Sequence, residues 1–408
     1  MRRHESSGDR RLQELLQEKF HLTGAVLSLV LVTSGASAAT FYVDASLERD
    51  CTASSYSLVR RNCTGRDGAA YRKIQDAFER LSPGDTLYIR AGTYREAATL
   101  AVSGWPRQYI TIANYPGERP VLDGRRVEPS REAGLLDIRS QRFTRVRGLT
   151  VRNSGYYGIY VVGSHDVTIE NTEVANSRHG GMVFRGGSGI RILGCNVHHN
   201  NELGLPASHE AVTLEGVRGF EVGYCQVHRN KEEGVDIKYG STGGTVHHNR
   251  VYRNNGPNIY VDAANNIEIF GNELFETGSE KPGIMLGVET NPSREFVYDV
   301  SIHNNFVYRN AVGISFWIES GAEPYARFRN VAVYNNLVYQ RGGSAGPYLI
   351  VRGGAPRNYE DRLVIRDNIF SGSGRPGIVA RAELLERFIM DNNLFLSGGV
   401  KPTGRRVR

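Results

Sequence analysis

Methionine and cysteine are scarce, at 4 residues each in a chain of 408. The cysteines form no Cys-x-x-Cys pair and no Cys/His cluster at metal-ligand spacing, which argues against a zinc finger or ribbon. The apolar run 24–32 is too short for a comfortable membrane span, so no stable span is expected after processing. Basic residues lie scattered among acids, without the aromatic interleaving of a base-stacking platform, and no nucleic-acid partner is expected.

What is present points to short strands and turns: 47 Gly, with Asn and Val frequent. The 50 Lys+Arg against 43 Asp+Glu give a net charge of +7. That suits an acidic partner, although a mildly basic surface satisfies it equally well. Arg2, Arg3, Arg10 and Arg11 precede the apolar run and Ala36-Ser-Ala38 follows it. Residues 1–38 therefore read as a signal peptide or leader, with an uncleaved anchor as the alternative, and the protein as secreted or periplasmic. Cys51 and Cys63 bracket a short segment and can close a disulfide loop in an oxidising compartment. Residues 401–408 form a basic tail.

Residues 39–140 read as an N-terminal cap with the first coils. Short strands are expected at Thr40–Asp44, Thr86–Arg90, Tyr109–Ile112 and Pro120–Gly124, with a turn at Gly92–Tyr94. Within 69–81, Ile74, Ala77, Phe78 and Leu81 fall at helical spacing, predicting a capping helix over the N-terminal end.

From about 141 to 400 the chain repeats itself. Gly148-Leu-Thr-Val-Arg-Asn153 aligns with Asn171-Thr-Glu-Val-Ala-Asn176, Cys195-Asn-Val-His-His-Asn200, Cys225-Gln-Val-His-Arg-Asn230 and Asn249-Arg-Val-Tyr-Arg-Asn254. Later copies start at Asn272, Asn305, Asn336, Asn368 and Asn393. One such unit cannot bury its apolar face alone, so the units must stack. The expected fold is all-β, a single-stranded right-handed parallel β-helix whose coils lie about 4.8 Å apart. The column of repeat starts becomes an inward amide ladder. Cys195 and Cys225 share that column and read as buried thiols in place of Asn.

The stretch Asn230-Lys-Glu-Glu-Gly-Val-Asp-Ile-Lys238 concentrates charge. Alternation turns Val235 and Ile237 inward and Asp236 and Lys238 outward. Stacking gives one outward column of Tyr160, Val183, Thr213, Asp236, Tyr260, Met285 and Ser315. Its neighbour is Val162, Arg185, Glu215, Lys238, Asp262, Gly287 and Trp317. His209, Glu210, Glu232 and Glu233 fall in the turns just before these strands, Glu210 and Glu233 one coil apart. The charged column can be a plain salt-bridge ladder, adding about 0.2–1 kcal/mol per pair. Alternatively, Glu210, Glu232, Glu233 and Asp236 converge, and so many close carboxylates call for a cation such as Ca²⁺. Arg185, Arg229, Arg253, His209, Asp262, Tyr260 and Trp317 are candidates for contacting acidic sugars.

From Thr40 to about residue 400 the chain resembles secreted β-helical polysaccharide lyases, particularly polysaccharide lyase families nine and six. Pro83-Gly-Asp-Thr-Leu-Tyr-Ile89 and Tyr115-Pro-Gly-Glu-Arg-Pro-Val-Leu-Asp-Gly124 are similar to the front ends of both. Family nine holds calcium with Asp-Asp-Gly-aromatic-Asp plus an Asp one coil earlier. Glu232-Glu-Gly-Val-Asp236 with Glu210 has that spacing, with Glu at three of the four positions, and the later-coil lysine of that family has no counterpart here. Family six places a Lys base five residues after a calcium-binding Glu, as Glu233 and Lys238 stand. Its next-coil Arg is replaced here by Tyr260 and Asp262. The resemblance implies calcium-assisted β-elimination on an acidic polysaccharide, with Lys238 as base and Arg185 and Tyr260 beside it. A uronate C5-epimerase, a glycoside hydrolase and a non-catalytic carbohydrate-binding or surface protein stay open on the same fold. Against the first two, the Asp-Pro-His motif of β-helical epimerases is absent, as are the Asn-Thr-Asp and Gly-His-Gly signatures of polygalacturonases.

Overall fold

The computed structural model describes residues 38–403, apart from Pro129, Leu205, 292–293, 341–345 and 373–376. The expected leader and most of the basic tail lie outside the described residues. Strands of two to seven residues repeat in threes, and those inside the solenoid pair in parallel with their counterparts one coil before and after. They build one 14-stranded and two 12-stranded sheets, the three faces of a right-handed β-helix. The coil carrying the charged stretch runs through Arg218–Gly223 on the first sheet, Gln226–His228 on the second and Val235–Lys238 on the third. Among the described residues, no helix is long and apolar enough to cross a membrane.

Inward residues fill the lumen with Val, Ile and Leu, and among them Val212, Val235, Ile259 and Ile284 stack in register. Two amide ladders run beside them. In the first, which starts at Asn249, Asn272, Asn305, Asn336, Asn368 and Asn393 each accept the backbone and side-chain N–H of the preceding asparagine at 2.9–3.2 Å. Buried amides are tolerated because every donor finds an acceptor one coil away. Cys225 and Cys195 continue this column: Cys225 N–H donates to Asn249 Oδ1 at 2.9 Å and Cys195 N–H to Cys225 Sγ at 3.4 Å. Both thiols are free and buried.

The alignment slips by one residue at its first two rows. Val151, Val174 and Val197 are in register, so Leu149 and Thr172 precede Cys195 in the ladder column, not Gly148 and Asn171. Gly148 and Asn171 instead hold the left-handed turn just outside it, at φ 69° and 47°. The second ladder joins Asn200, Asn230 and Asn254 at the corner between the second and third sheets. Asn230 thereby anchors the turn that carries Glu232 and Glu233.

At the N-terminal end the expected helix over 69–81 shortens to Ile74–Phe78. Ala69–Tyr71 pairs instead with Thr40–Val43, giving the sheet edge a hydrogen-bonded partner. Glu96 accepts the Ile74 and Gln75 N–H groups at 2.9 and 3.1 Å, caring for the orphan donors of that short helix. Gly92–Tyr94, read as a turn, contains the two-residue strand Thr93–Tyr94. Cys51 and Cys63 form the expected disulfide. Beside it, Asp44 is buried and accepts from Tyr56 Oη at 2.6 Å and from Arg61 Nε at 2.9 Å.

Candidate functional site

The third sheet orders the outward columns as the alternation predicts. Thr213, Asp236, Tyr260 and Met285 share one column, and Glu215, Lys238, Asp262 and Gly287 the next. Pointing away from the lumen does not expose them: Asp236, Lys238, Tyr260 and Asp262 are buried. Neighbouring rows and flanking turns cover charge that a solvated salt-bridge ladder would leave in water.

Lys238 is the centre of this arrangement. Its Nζ lies 2.7 Å from Glu210 Oε1 and 3.0 Å from Asp236 Oδ2. Asp236 comes from the same strand, two residues earlier, and Glu210 from the turn of the preceding coil. Thr213 fixes Glu210 by donating from Oγ1 to Oε2 at 2.8 Å. Burial alone would push Lys238 down and Glu210 up, but their pairing overrides it. Lys238 is held well above its usual value, and Glu210 is held down to about 2. One ammonium cannot neutralise two carboxylates, and burial together with Glu210, Asp262 and Glu233 pushes Asp236 up.

The remaining acids behave the same way. Burial, with repulsion from Glu210, pushes Glu233 up to about 7 and raises Glu232. Burial and Glu289 raise Asp262. Tyr260 donates from its hydroxyl to Glu289 Oε1 at 3.1 Å, and the Glu289 N–H donates to Asp262 Oδ1 at 3.3 Å. Acids shifted this far upward in one place mark a functional site more often than a random surface does.

On the other side of Lys238, Arg185 Nε lies 2.9 Å from Glu215 Oε2 and His209 Nε2 lies 3.8 Å from the same oxygen. Burial lowers the His209 pKa below its ordinary value, with Lys238 and Arg185 adding to the effect against the pull of Glu210 and Glu215. The imidazole is thereby biased toward its neutral form, with both cations close enough to act on it. Tyr157 packs on His209 with ring centroids 5.5 Å apart, and donor or acceptor contact with Ser208 Oγ at 2.9 Å holds the tyrosine.

The structure thus groups Arg185, His209, Glu210, Glu233, Asp236, Lys238, Tyr260 and Asp262. Arg229 and Arg253 stand apart, at left-handed corner positions with φ 55° and 56°, and Arg253 pairs with Glu276 at 2.6 Å. Trp317 shares the Lys238 column but lies three coils on, about 14 Å away. Sequence reasoning passed over Thr213 as a clamp and missed Glu289. Extending the alternation two residues past Gly287 reaches Glu289, whereas the Thr213 hydroxyl contact depends on turn geometry that alternation does not carry.

The four acids expected to hold calcium can be tested against this geometry. Glu232 Oε1 and Asp236 Oδ1 are buried without a hydrogen-bond partner, as free oxygen donors would be. Yet the place between Glu210 and Asp236 is filled by the Lys238 ammonium. Among the described residues, no three His, Cys, Asp or Glu side chains are grouped so as to hold a metal ion. Calcium takes six to eight oxygens at about 2.3–2.6 Å, and the set does not fit that demand as placed.

Residues 60–266, half of the chain, match the family described as Pel9A-like, right handed beta helix region. Residues 209–356 match a right-handed β-helix region family. Pectate lyase L of Paenibacillus polymyxa (strain SC2) is 32% identical over 114 residues, 27% of this chain and 25% of that protein. The Bacillus subtilis (strain 168) protein YwoF is 28% identical over 325 residues, 74% of this chain and 65% of its own. The matched parts thus span a quarter of the first relative and just under two thirds of the second. Among solved structures, PfbA, a surface adhesin of Streptococcus pneumoniae, superposes with a TM-score of 0.60 at 12% identity, covering 81% of this chain and 88% of that one, which bears on the fold alone. With half of its length matched and the coil architecture in place, the chain belongs to the Pel9A-like right-handed β-helix family.

Proposed function

We propose that this protein is an exported polysaccharide lyase that cleaves an acidic, uronate-containing glycan by β-elimination at the charged site around His209 and Lys238. The observation that carries the reading is the largely buried His209, 3.8 Å from the same Glu215 oxygen that Arg185 holds at 2.9 Å, with burial favouring its unprotonated form. β-Elimination needs those two things together: positive charge to bind the uronate carboxylate and acidify the adjacent C5 proton, and an unprotonated base to take it.

His209 accepts the C5 proton in this scheme. We give it that role instead of Lys238, whose ammonium already donates to Glu210 and Asp236. The C5 electron pair forms the C4–C5 double bond as the C4–O bond breaks. Glu233, kept protonated near neutrality by burial and by Glu210, supplies the proton taken up by the leaving oxygen. Arg185 pairs with the sugar carboxylate at the half-exposed edge of the site. Export is supported by the Cys51–Cys63 disulfide, which persists in oxidising compartments.

The paired Glu210 and Glu233, with pKa values driven apart to about 2 and about 7, also have the division of labour of a glycoside hydrolase. One assay separates the two. Elimination leaves an unsaturated uronate that absorbs in the ultraviolet, whereas hydrolysis releases reducing ends without that absorbance.

A further inference from the structure

Two buried carboxylates of this site, Glu210 and Asp236, face one cation, and it is the chain's own. Lys238 Nζ is 2.7 Å from Glu210 Oε1 and 3.0 Å from Asp236 Oδ2, and its side chain is only 10% exposed. Those are N–H···O separations for a charge-assisted pair. The two carboxylates come from successive coils, so the ammonium ties one coil to the next as a bridging metal would. It is also tethered, since Lys238 and Asp236 lie on one strand with a single inward residue between them. Unlike a bound ion, it cannot dissociate or be chelated.

We propose that the ammonium of Lys238 is the built-in counter-ion of this site, standing between Glu210 and Asp236 where a divalent cation would stand, so that the site is assembled without calcium. A monovalent counter-ion has a visible consequence. With Thr213 holding the other oxygen it satisfies Glu210, and it leaves Asp236 Oδ1 and Glu232 Oε1 buried and unpartnered. Those oxygens are spare donors that a divalent ion would recruit if Lys238 were cut away. Removing the lysine therefore leaves Glu210 and Asp236 facing an empty space, with the unpartnered Asp236 Oδ1 and Glu232 Oε1 as further oxygen donors. This holds whatever reaction the site performs, and it is read by metal binding, not by turnover.

The test uses the full-length protein, with terbium luminescence and calcium-dependent melting as readouts. The wild type should show no saturable terbium signal, and its melting temperature should be the same in calcium and in chelator. Lys238→Ala and the better-packed Lys238→Met should acquire a saturable terbium signal, with half-saturation about 10⁻⁴–10⁻³ M, the range of weak extracellular calcium sites. Calcium should raise their melting temperatures. Adding Asp236→Asn to either variant should abolish the gain. Two results overturn the proposal: a wild-type calcium response that Asp236→Asn removes, or folded Lys238 variants that gain no terbium binding. If both variants fail to fold, the wild-type arm decides, and a calcium-induced stabilisation lost in Asp236→Asn sinks the idea.

Discussion

Tyr260 reaches across to the neighbouring column, where Gly287 of the next coil stacks on Asp262, so closely that a β-carbon at 287 would fall 2.5 Å from the tyrosine hydroxyl. The missing side chain at 287 is what leaves room for the ring to reach Glu289. Gly287→Ala should push Tyr260 off Glu289 and destabilise the protein by about 1–3 kcal/mol, as overpacking of a buried site does. Chemical denaturation measures it. An unchanged midpoint would mean that the row has room to shift.

Replacing His209 should act on chemistry more than on folding. His209→Gln keeps a polar side chain of similar reach and should lower kcat by roughly 10²–10⁴-fold, the usual contribution of a general base, with a smaller change in KM. Equal losses in both the variant and a control distant from the site would contradict the assignment.

The pH profile follows from the same residue. A base works only when unprotonated, and burial lowers the His209 pKa below its ordinary 6.5. The acid limb of kcat/KM should therefore lie below pH 6.5, with activity persisting to more acidic pH than a solvent-exposed histidine would allow. A limb at or above 6.5 would remove His209 from the role.

Acid stability should be set largely at the other end of the solenoid. Asp44 is fully buried, and hydrogen bonds from Arg61 and Tyr56 overcome burial and hold its pKa far below the ordinary 3.8. A depressed folded-state value means that its stabilisation is complete above 3.8 and lost as pH falls from there toward the folded-state value. Asp44→Asn should cost about 3 kcal/mol at neutral pH, since it leaves Arg61 without its partner. It should also flatten the acid limb of stability, which denaturation at neutral and acid pH would show.

The first amide ladder gives a paired prediction. Asn336→Ala removes the acceptor of the Asn305 backbone N–H, while the Asn305 side-chain amide keeps Ile269 O and His303 O, and should cost about 1–3 kcal/mol for the one donor left buried and unsatisfied. Cys225→Asn should instead be tolerated, because Asn249 already presents its oxygen to residue 225. Comparing melting curves of the two variants checks the column assignment directly.

Much of this was legible in the chain. Two-residue alternation placed Asp236, Lys238, Tyr260, Asp262 and Gly287 in the columns they occupy, because a strand has only two faces and stacking preserves register. Three things were not legible. The first rows slipped because Gly148 and Asn171 imitate ladder residues while serving as left-handed turns. The helix over 69–81 was overdrawn because the demand of an open sheet edge outweighed periodicity at Ala69–Tyr71. The partner of Lys238 was undetermined because which of several nearby acids a long side chain reaches depends on turn geometry.

The most direct measurement is ultraviolet absorbance as the mature protein meets pectate, alginate and glycosaminoglycan chains in turn, with calcium and then with chelator. The account predicts a steady rise on at least one uronate polymer, lost in His209→Gln. A folded protein giving no rise on any of the three, or reducing ends released without the rise, would contradict β-elimination.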